Sequence, residues 1–278
     1  MMQKTVKKPV SVCGIDITGK GYSNVTFTPA PPNSGIIFIR DDLPGQPRLE
    51  CRPEYARTDF RWTSLFKDGI GVDHTEHILA AVAGLGIDNI TIHTDSQYLP
   101  VVTGFSSKGF VDVMVETEMV GQENPKEYIS IRRPCWVLDS FISGAERYDS
   151  ILLALPAEEL TLTYLLDYPG RQAFTQTACF TFDGKSDFAA ELAPARSYVM
   201  DFESSSVREL IGKGMEDCLV LSEGSLPLRW DNEPARHKLL DMLGDLATLG
   251  RPVKGHFIGI RTGHKTNIRM CKKLAEEF

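Results

Sequence analysis

The sequence predicts an α+β fold in two similar halves, and three observations lead there. Short alternating or β-branched runs precede helix-like stretches, that order occurs twice along the chain, and a turn-rich segment separates the two occurrences. With 278 residues the chain lies near the size at which a single core begins to divide.

In the first half, the runs near 9–13, 23–28 and 35–39 read as strands. Residues 73–85 follow as a helix, because the apolar residues at 78, 79, 82 and 85 fall on one stripe. A strand at 89–93 and a helix-like stretch from 107 to 119 complete this half. Gly121 to Lys126, reading Gly-Gln-Glu-Asn-Pro-Lys, has the composition of a joint. Domains are therefore expected at 1–122 and 127–278. The second half offers strands near 128–138, 150–154, 160–166 and 217–221, then helices at 234–249 and 264–276 around a strand at 256–260.

Hydrophobic content of 42% and charged content of 24% are ordinary for a globular chain, so disorder is excluded. No apolar run approaches the roughly 20 residues that span a bilayer, and Met1 to Pro9 lacks the apolar segment of a signal peptide. The expected location is cytoplasmic, with no transmembrane segment. A formal net charge of −7 leaves no broad basic surface, and no nucleic-acid partner is expected. Arg132-Arg133 and Lys272-Lys273 read as solvated charges. The six cysteines, at 13, 51, 135, 179, 218 and 271, contain no Cys-x-x-Cys pair and read as free thiols.

Two helices carry the residues that suggest chemistry. On the later one, His237 and Asp241 lie four apart and so share a face, close enough to hold one ion. Catalytic zinc takes three protein ligands and leaves a fourth position open, which leaves this pair one ligand short. His77 on the earlier helix is the best candidate for the third, and Glu76 beside it is placed to act on the ion's water. Plainer readings stand next to these. Asp73 and Glu76 have the spacing of a capping box, and His237 with Asp241 has that of a solvated pair worth roughly 0.2–0.5 kcal/mol. The core stripe of the later helix, however, is Leu239, Met242, Leu243 and Leu246, and His237, Asp241, Gly244 and Asp245 flank a different side. A mid-helix glycine costs about 0.8–1.0 kcal/mol relative to Ala, so Gly244 suggests that something approaches closely there.

These residues also carry a resemblance. The run from Thr75 to Asn89, Thr-Glu-His-Ile-Leu-Ala-Ala-Val-Ala-Gly-Leu-Gly-Ile-Asp-Asn, resembles a signature of the bacterial UDP-3-O-acyl-N-acetylglucosamine deacetylases. His237-Lys238-x-x-Asp241-x-x-Gly244-Asp245-Leu246, then Leu249-Gly250-x-Pro252 and Gly263-His264-x-x-Asn267, resemble the other. Pro9-Val10-Ser11-Val12-x-Gly14, Pro29-Ala30-Pro31-x-Asn33-x-Gly35-Ile36 and Leu192-Ala193-Pro194-Ala195-Arg196 extend the similarity over nearly the whole chain.

The resemblance implies two domains, each a β-sheet layered with α-helices, facing each other across an active site at their interface. It implies His77, His237 and Asp241 as zinc ligands, although iron(II) suits the same set. Glu76 would be the general base, and His264, oriented by Asp245, would serve the leaving side. Lys238 is similar to a substrate-contacting lysine, and Ser197 stands where a threonine near the developing oxyanion is usual. The implied substrate is a UDP-linked acylated amino sugar, losing its N-acetyl group in lipid A biosynthesis. An inserted strand and helix element near 195–221 would form a hydrophobic groove for the acyl chain. Tyr198, Val199, Met200, Phe202, Val207, Leu210 and Ile211 are candidates to line it, with Tyr198 and Met200 as substrate contacts. Equally, these side chains pack the element onto the body.

Some segments depart from the family pattern. A Leu-His-Thr/Ser-Gly turn is replaced by Ile15-Asp16-Ile17-Thr18-Gly19, and a Pro-x-x-Asp-Gly-Ser loop by Pro100-Val101-Val102-Thr103-Gly104-Phe105. Asp-His-Pro reads Asp167-Tyr168-Pro169, and the stretch from Arg196 to Cys218 is about two residues short. All surround the substrate rather than the metal. Two alternatives follow: a divergent paralogue acting on another N-acyl amino sugar, and a non-catalytic nucleotide-sugar binding protein.

Overall fold

A computed structural model describes the chain except residues 144, 170–174, 214–217, 223–226 and 278. Thus residue 217 of the strand expected at 217–221, and 214–217 of the expected inserted element, lie outside the described residues.

The first half runs β1 (Met2–Val6), β2 (Val10–Asp16), β3 (Tyr22–Pro29), β4 (Ile36–Arg40), β5 (Arg48–Glu50), β6 (Ala56–Arg57), β7 (Ser64–Lys67) and β8 (Ile70–Asp73). It continues with helix α1 (Glu76–Gly84), β9 (Ile90–Thr94), β10 (Pro100–Val101), helix α2 (Lys108–Glu116) and β11 (Met119–Pro125). The second half runs β12 (Ile129–Ser130), β13 (Cys135–Ser143), β14 (Glu146–Leu155), β15 (Leu160–Leu166), β16 (Gln176–Thr181) and the short helix α3 (Phe188–Glu191). After these come β17 (Tyr198–Met200), α4 (Ser204–Ile211), β18 (Leu219–Leu221), α5 (Glu233–Ala247), β19 (Val253–Ile260) and α6 (His264–Ala275).

Both halves follow one plan. Strand β9 pairs antiparallel with β3 and parallel with β4. In the second half β19 pairs antiparallel with β14 and parallel with β15. Each of these central strands is preceded by a helix, α1 or α5, and each is flanked by antiparallel pairs, β2 with β3 and β4 with β5 against β13 with β14 and β15 with β16. The α+β class in two similar halves is therefore the architecture observed, with sheets ordered β10-β2-β3-β9-β4-β5 and β13-β14-β19-β15-β16.

Helices α1 and α5 pack on each other and join the halves. One core runs from Val25, Phe27 and Ile92 of the first sheet through Ile78, Leu79 and Val82 of α1. It continues into Leu239 and Leu243 of α5 and then Leu162, Tyr164 and Phe257 of the second sheet. Every residue of α1 from Glu76 to Val82 is buried. Helix α5 is likewise buried along nearly its whole length, not only along the expected stripe, because it is covered by α1, α6 and the second sheet at once.

Several expected boundaries move. Helix α1 begins at Glu76 rather than 73, because Asp73 closes β8 and its carboxylate accepts from the Gln97 amide at 3.0 Å. No capping box forms there: Thr75 is the cap residue and makes no side-chain cap bond. The segment read as a joint is instead strand β11, which pairs antiparallel with β1. Strands β1, β5 to β8, β10 and β16 and helix α3 were not expected. The run expected at 128–138 divides into β12 and β13, and the latter continues to Ser143.

Candidate metal centre and active site

Helix geometry explains the centre. His237 and Asp241 lie one turn apart on α5, and His237 Nε2 stands 3.3 Å from Asp241 Oδ1. His77, the second residue of α1, brings its Nε2 to 3.5 Å from the same oxygen. The donor atoms of His77, His237 and Asp241 lie within 4.8 Å of one another, and all three side chains are buried. Gly244 makes this approach of helices possible, since a Cβ there would stand 2.0 Å from the Glu76 carbonyl oxygen.

The surroundings suit a divalent cation. His237 Nδ1 faces the Ala195 carbonyl at 3.0 Å. A carbonyl only accepts, so Nδ1 carries the proton and Nε2 keeps its lone pair for an ion. Burial lowers His237 to about 4, with His77 adding to the effect and Asp241 opposing it, so the ring is neutral. For Asp241 burial opposes ionisation, but the positive charges of Lys238 and His264 help hold the carboxyl well below the usual range. Two imidazoles and one carboxylate form a set that zinc or iron(II) accepts.

Glu76 is held beside this set by the Thr63 backbone N–H, which donates to Oε2 at 3.0 Å. Burial raises its carboxyl to about 7, against the opposing pull of His264 and His77. Its other oxygen, Oε1, lies 4.0 Å from His264 Nε2. His264 starts α6 and faces Asp245 Oδ2 through Nδ1 at 2.9 Å. Burial disfavours the imidazolium, yet Asp245 and Asp241, together with the hydrogen bond to Asp245, place His264 at about 9. Asp245 is itself fully buried and satisfied, accepting from Thr63 Oγ1 at 2.5 Å and from Asn267 Nδ2 at 2.9 Å. Thr63 therefore ties the Glu76 carboxylate to the group that holds His264.

A cavity of about 90 Å³ opens onto these residues. Its polar wall includes Ser197, Lys238 and His74, and its apolar wall includes Ile17, Trp62, Phe105, Val199, Val207 and Ile211. Lys238 donates to Asp241 Oδ2 at 2.8 Å, and its charge is favoured by Asp241 although burial opposes it. Tyr198 also faces the cavity, 6.3 Å from the His237 ring centre, and accepts from the Tyr168 hydroxyl at 3.2 Å. Two of the segments that depart from the family pattern meet here: Asp16 pairs with Pro100, Ile15 with Val101, and Ile17 and Phe105 both reach the cavity.

His77, His237, Asp241, Glu76, His264, Asp245, Lys238, Ser197 and Tyr198 are thus brought together. Met200 is not. It is fully buried in the main core and does not reach the cavity wall, although Tyr198 and Val199 beside it on β17 both do. Its reading as a substrate contact is corrected to packing. Phe202 is largely exposed and also stays off the cavity wall. Two participants carry no signal in the sequence. His74, just before a helix, lines the cavity with its ring 4.6 Å from that of His77. Thr63 lies in a segment without a periodic pattern.

The chain is similar to known proteins over nearly its whole length. Residues 3–276 match the family described as UDP-3-O-acyl N-acetylglycosamine deacetylase. A UDP-3-O-acyl-N-acetylglucosamine deacetylase of Thermosynechococcus vestitus is 32% identical over 281 residues, covering 99% of this chain and 94% of that one. That of Myxococcus xanthus is 32% identical over 283 residues, covering 99% and 87%. That of Chlamydia abortus is 30% identical over 282 residues, covering 99% and 97%. No described helix is long and apolar enough to cross a membrane.

Proposed function

The chain belongs to the UDP-3-O-acyl N-acetylglycosamine deacetylase family, and from that premise we propose that it removes the N-acetyl group of UDP-3-O-acyl-N-acetylglucosamine in lipid A biosynthesis. The family is one of metalloenzymes, and zinc held by His77, His237 and Asp241 is the reading the donor set supports. A divalent ion bound there supplies Lewis-acid activation of a water and of the amide carbonyl.

The observation that carries the proposal is the placement of Glu76 and His264 on one cavity beside those donors, with Oε1 and Nε2 4.0 Å apart. Glu76, ionised, takes a proton from the attacking water through Oε1. His264, charged, gives a proton to the amide nitrogen so that the amine can leave. Asp245 keeps Nδ1 of His264 protonated and fixes the ring, leaving Nε2 as the donor toward the cavity. The Ser197 hydroxyl lies on the cavity wall where it can donate to the developing oxyanion. Lys238 contributes positive charge toward the nucleotide-sugar and simultaneously fixes Asp241.

The acyl chain is assigned to the apolar wall formed by Ile17, Trp62, Phe105, Val199, Val207 and Ile211, which pack as one cluster apart from the main core. A non-catalytic binding role is disfavoured, since a binding site has no use for a buried base and a buried acid beside one set of metal donors. Deacetylation of UDP-3-O-acyl-N-acetylglucosamine by zinc-reconstituted protein, beside a Glu76→Ala control, tests the proposal. Turnover that vanishes in the control is expected, and zinc binding without turnover would refute it.

A further inference from the structure

His74 stands two residues before α1 with φ +65°, a left-handed backbone that side chains other than Gly, Asn, Asp and His seldom adopt. Its ring is 4% exposed and lines the cavity. Nδ1 has no hydrogen-bond partner among the described residues. Nε2 lies 3.9 Å from Glu76 Oε1, too far for a direct bond. A buried ring nitrogen without a partner is costly, and here it belongs to a ring that a left-handed backbone holds at the edge of the reactive groups. Such a residue points to a partner that arrives with the substrate or the solvent.

The distances say which. Glu76 Oε1 is flanked by His74 Nε2 at 3.9 Å and His264 Nε2 at 4.0 Å. Gaps of this length accommodate one oxygen atom hydrogen-bonded to both sides. We propose that His74 is a further catalytic contact of the deacetylation, accepting through Nε2 one hydrogen of the water whose other hydrogen passes to Glu76. The step balances: one water O–H breaks and its proton goes to Glu76 Oε1, the water oxygen forms the new bond to the acetyl carbon as the carbonyl π pair moves onto the carbonyl oxygen, and the O–H directed at His74 remains intact. Two acceptors then fix both hydrogens, so that a lone pair of the oxygen faces the carbonyl carbon.

This role rests on the function proposed above, and its test separates the two. Wild type, His74→Gly and His74→Gln are compared for kcat, KM, bound metal and melting temperature. Glycine relieves the left-handed backbone, and glutamine restores an acceptor at about the reach of Nε2. For His74→Gly, kcat should fall about 10- to 100-fold. KM should change less than about twofold, metal content should match wild type, and the melting temperature should shift by only a few degrees. Glutamine should recover a substantial part of kcat. An active wild type with undiminished kcat in His74→Gly would overturn the role of His74 alone, whereas a wild type without turnover would remove the function and this role together. The donor atoms of His74, Glu76 and His77 also lie within 4.8 Å of one another. Loss of a metal equivalent in His74→Gly would therefore overturn the water contact in favour of an ion.

Discussion

Gly244 and Glu76 meet with no side chain between them: a Cβ on Gly244 would lie 2.0 Å from the Glu76 carbonyl oxygen and 2.9 Å from its Cα. The obstacle is backbone, so it cannot rotate away. Gly244→Ala gains about 1 kcal/mol of helix propensity, but forced overpacking costs about 1–3 kcal/mol and here has no flexible atom to absorb it. The variant should melt lower than wild type and bind metal more weakly, because α5 carries two of the three donors. Calorimetry with a metal titration checks both, and an unchanged melting temperature would show that the helices are not in contact.

Glu76→Gln should retain bound metal while losing about 10²- to 10⁴-fold in kcat, the contribution expected of a positioned base. Elemental analysis beside steady-state kinetics separates the two effects. Near-normal turnover would take Glu76 out of the base role.

His237→Ala should lower metal occupancy, since it removes one of three donors that the fold brings within 4.8 Å. Equilibrium dialysis reads this directly. Full occupancy would mean that the donor set is wrongly assigned.

The rate should follow a bell in pH. Glu76 acts ionised and is raised to about 7, so activity climbs as pH rises through that region, with a bound cation moving this limb lower. His264 acts charged and is raised to about 9, so activity declines as pH rises through that value. His264→Gln should abolish the alkaline limb along with most of the rate. A kcat/KM profile with the same alkaline limb in the variant would remove His264 as the acid.

Asp245→Asn should alter stability with a matching pH signature in metal-free protein. The folded pKa of His264, about 9, lies above its ordinary value near 6.5. Its stabilising contribution is therefore complete below about 6.5 and is lost as pH rises through about 9. Asp245 is the leading source of that rise, so the variant should be destabilised most at low pH, and the gap to wild type should narrow above about 9. Denaturant midpoints measured from pH 6 to 10, at roughly unit spacing, supply the comparison.

Much of the site was legible because helical periodicity is short-range. His237 and Asp241 declare a shared face at four-residue spacing, and Gly244 announced a close approach that proved to be the Glu76 backbone. His74 gave no such sign. Its importance depends on a left-handed turn that directs the ring into the cavity, and a histidine before a helix carries no periodicity of its own. The fold was readable where apolar residues alternate, as in β3 and β19. It was not readable in β11, where Gly121-Gln122-Glu123-Asn124-Pro125 has turn composition. That strand is held by backbone pairing to β1 and by side-chain amides, with Gln122 accepting from Asn89 at 2.7 Å and Gln3 donating to the Pro125 carbonyl at 3.1 Å. Met200 misled because alternation alone does not tell which face of a short strand looks onto a cavity.

The burial of α1 has a consequence for synthesis. Ile78, Leu79 and Val82 belong to a helix covered in part by α5, which emerges from the ribosome long after α1. At about 5–20 residues per second that delay is on the order of 10–30 s. During it the first half exists with an apolar helix lacking its cover, so that α1 keeps apolar surface exposed until residue 247 has been made. The candidate donors are split in the same way, with His77 synthesised well before His237 and Asp241, so a nascent chain cannot bring the three together before residue 241 has been translated.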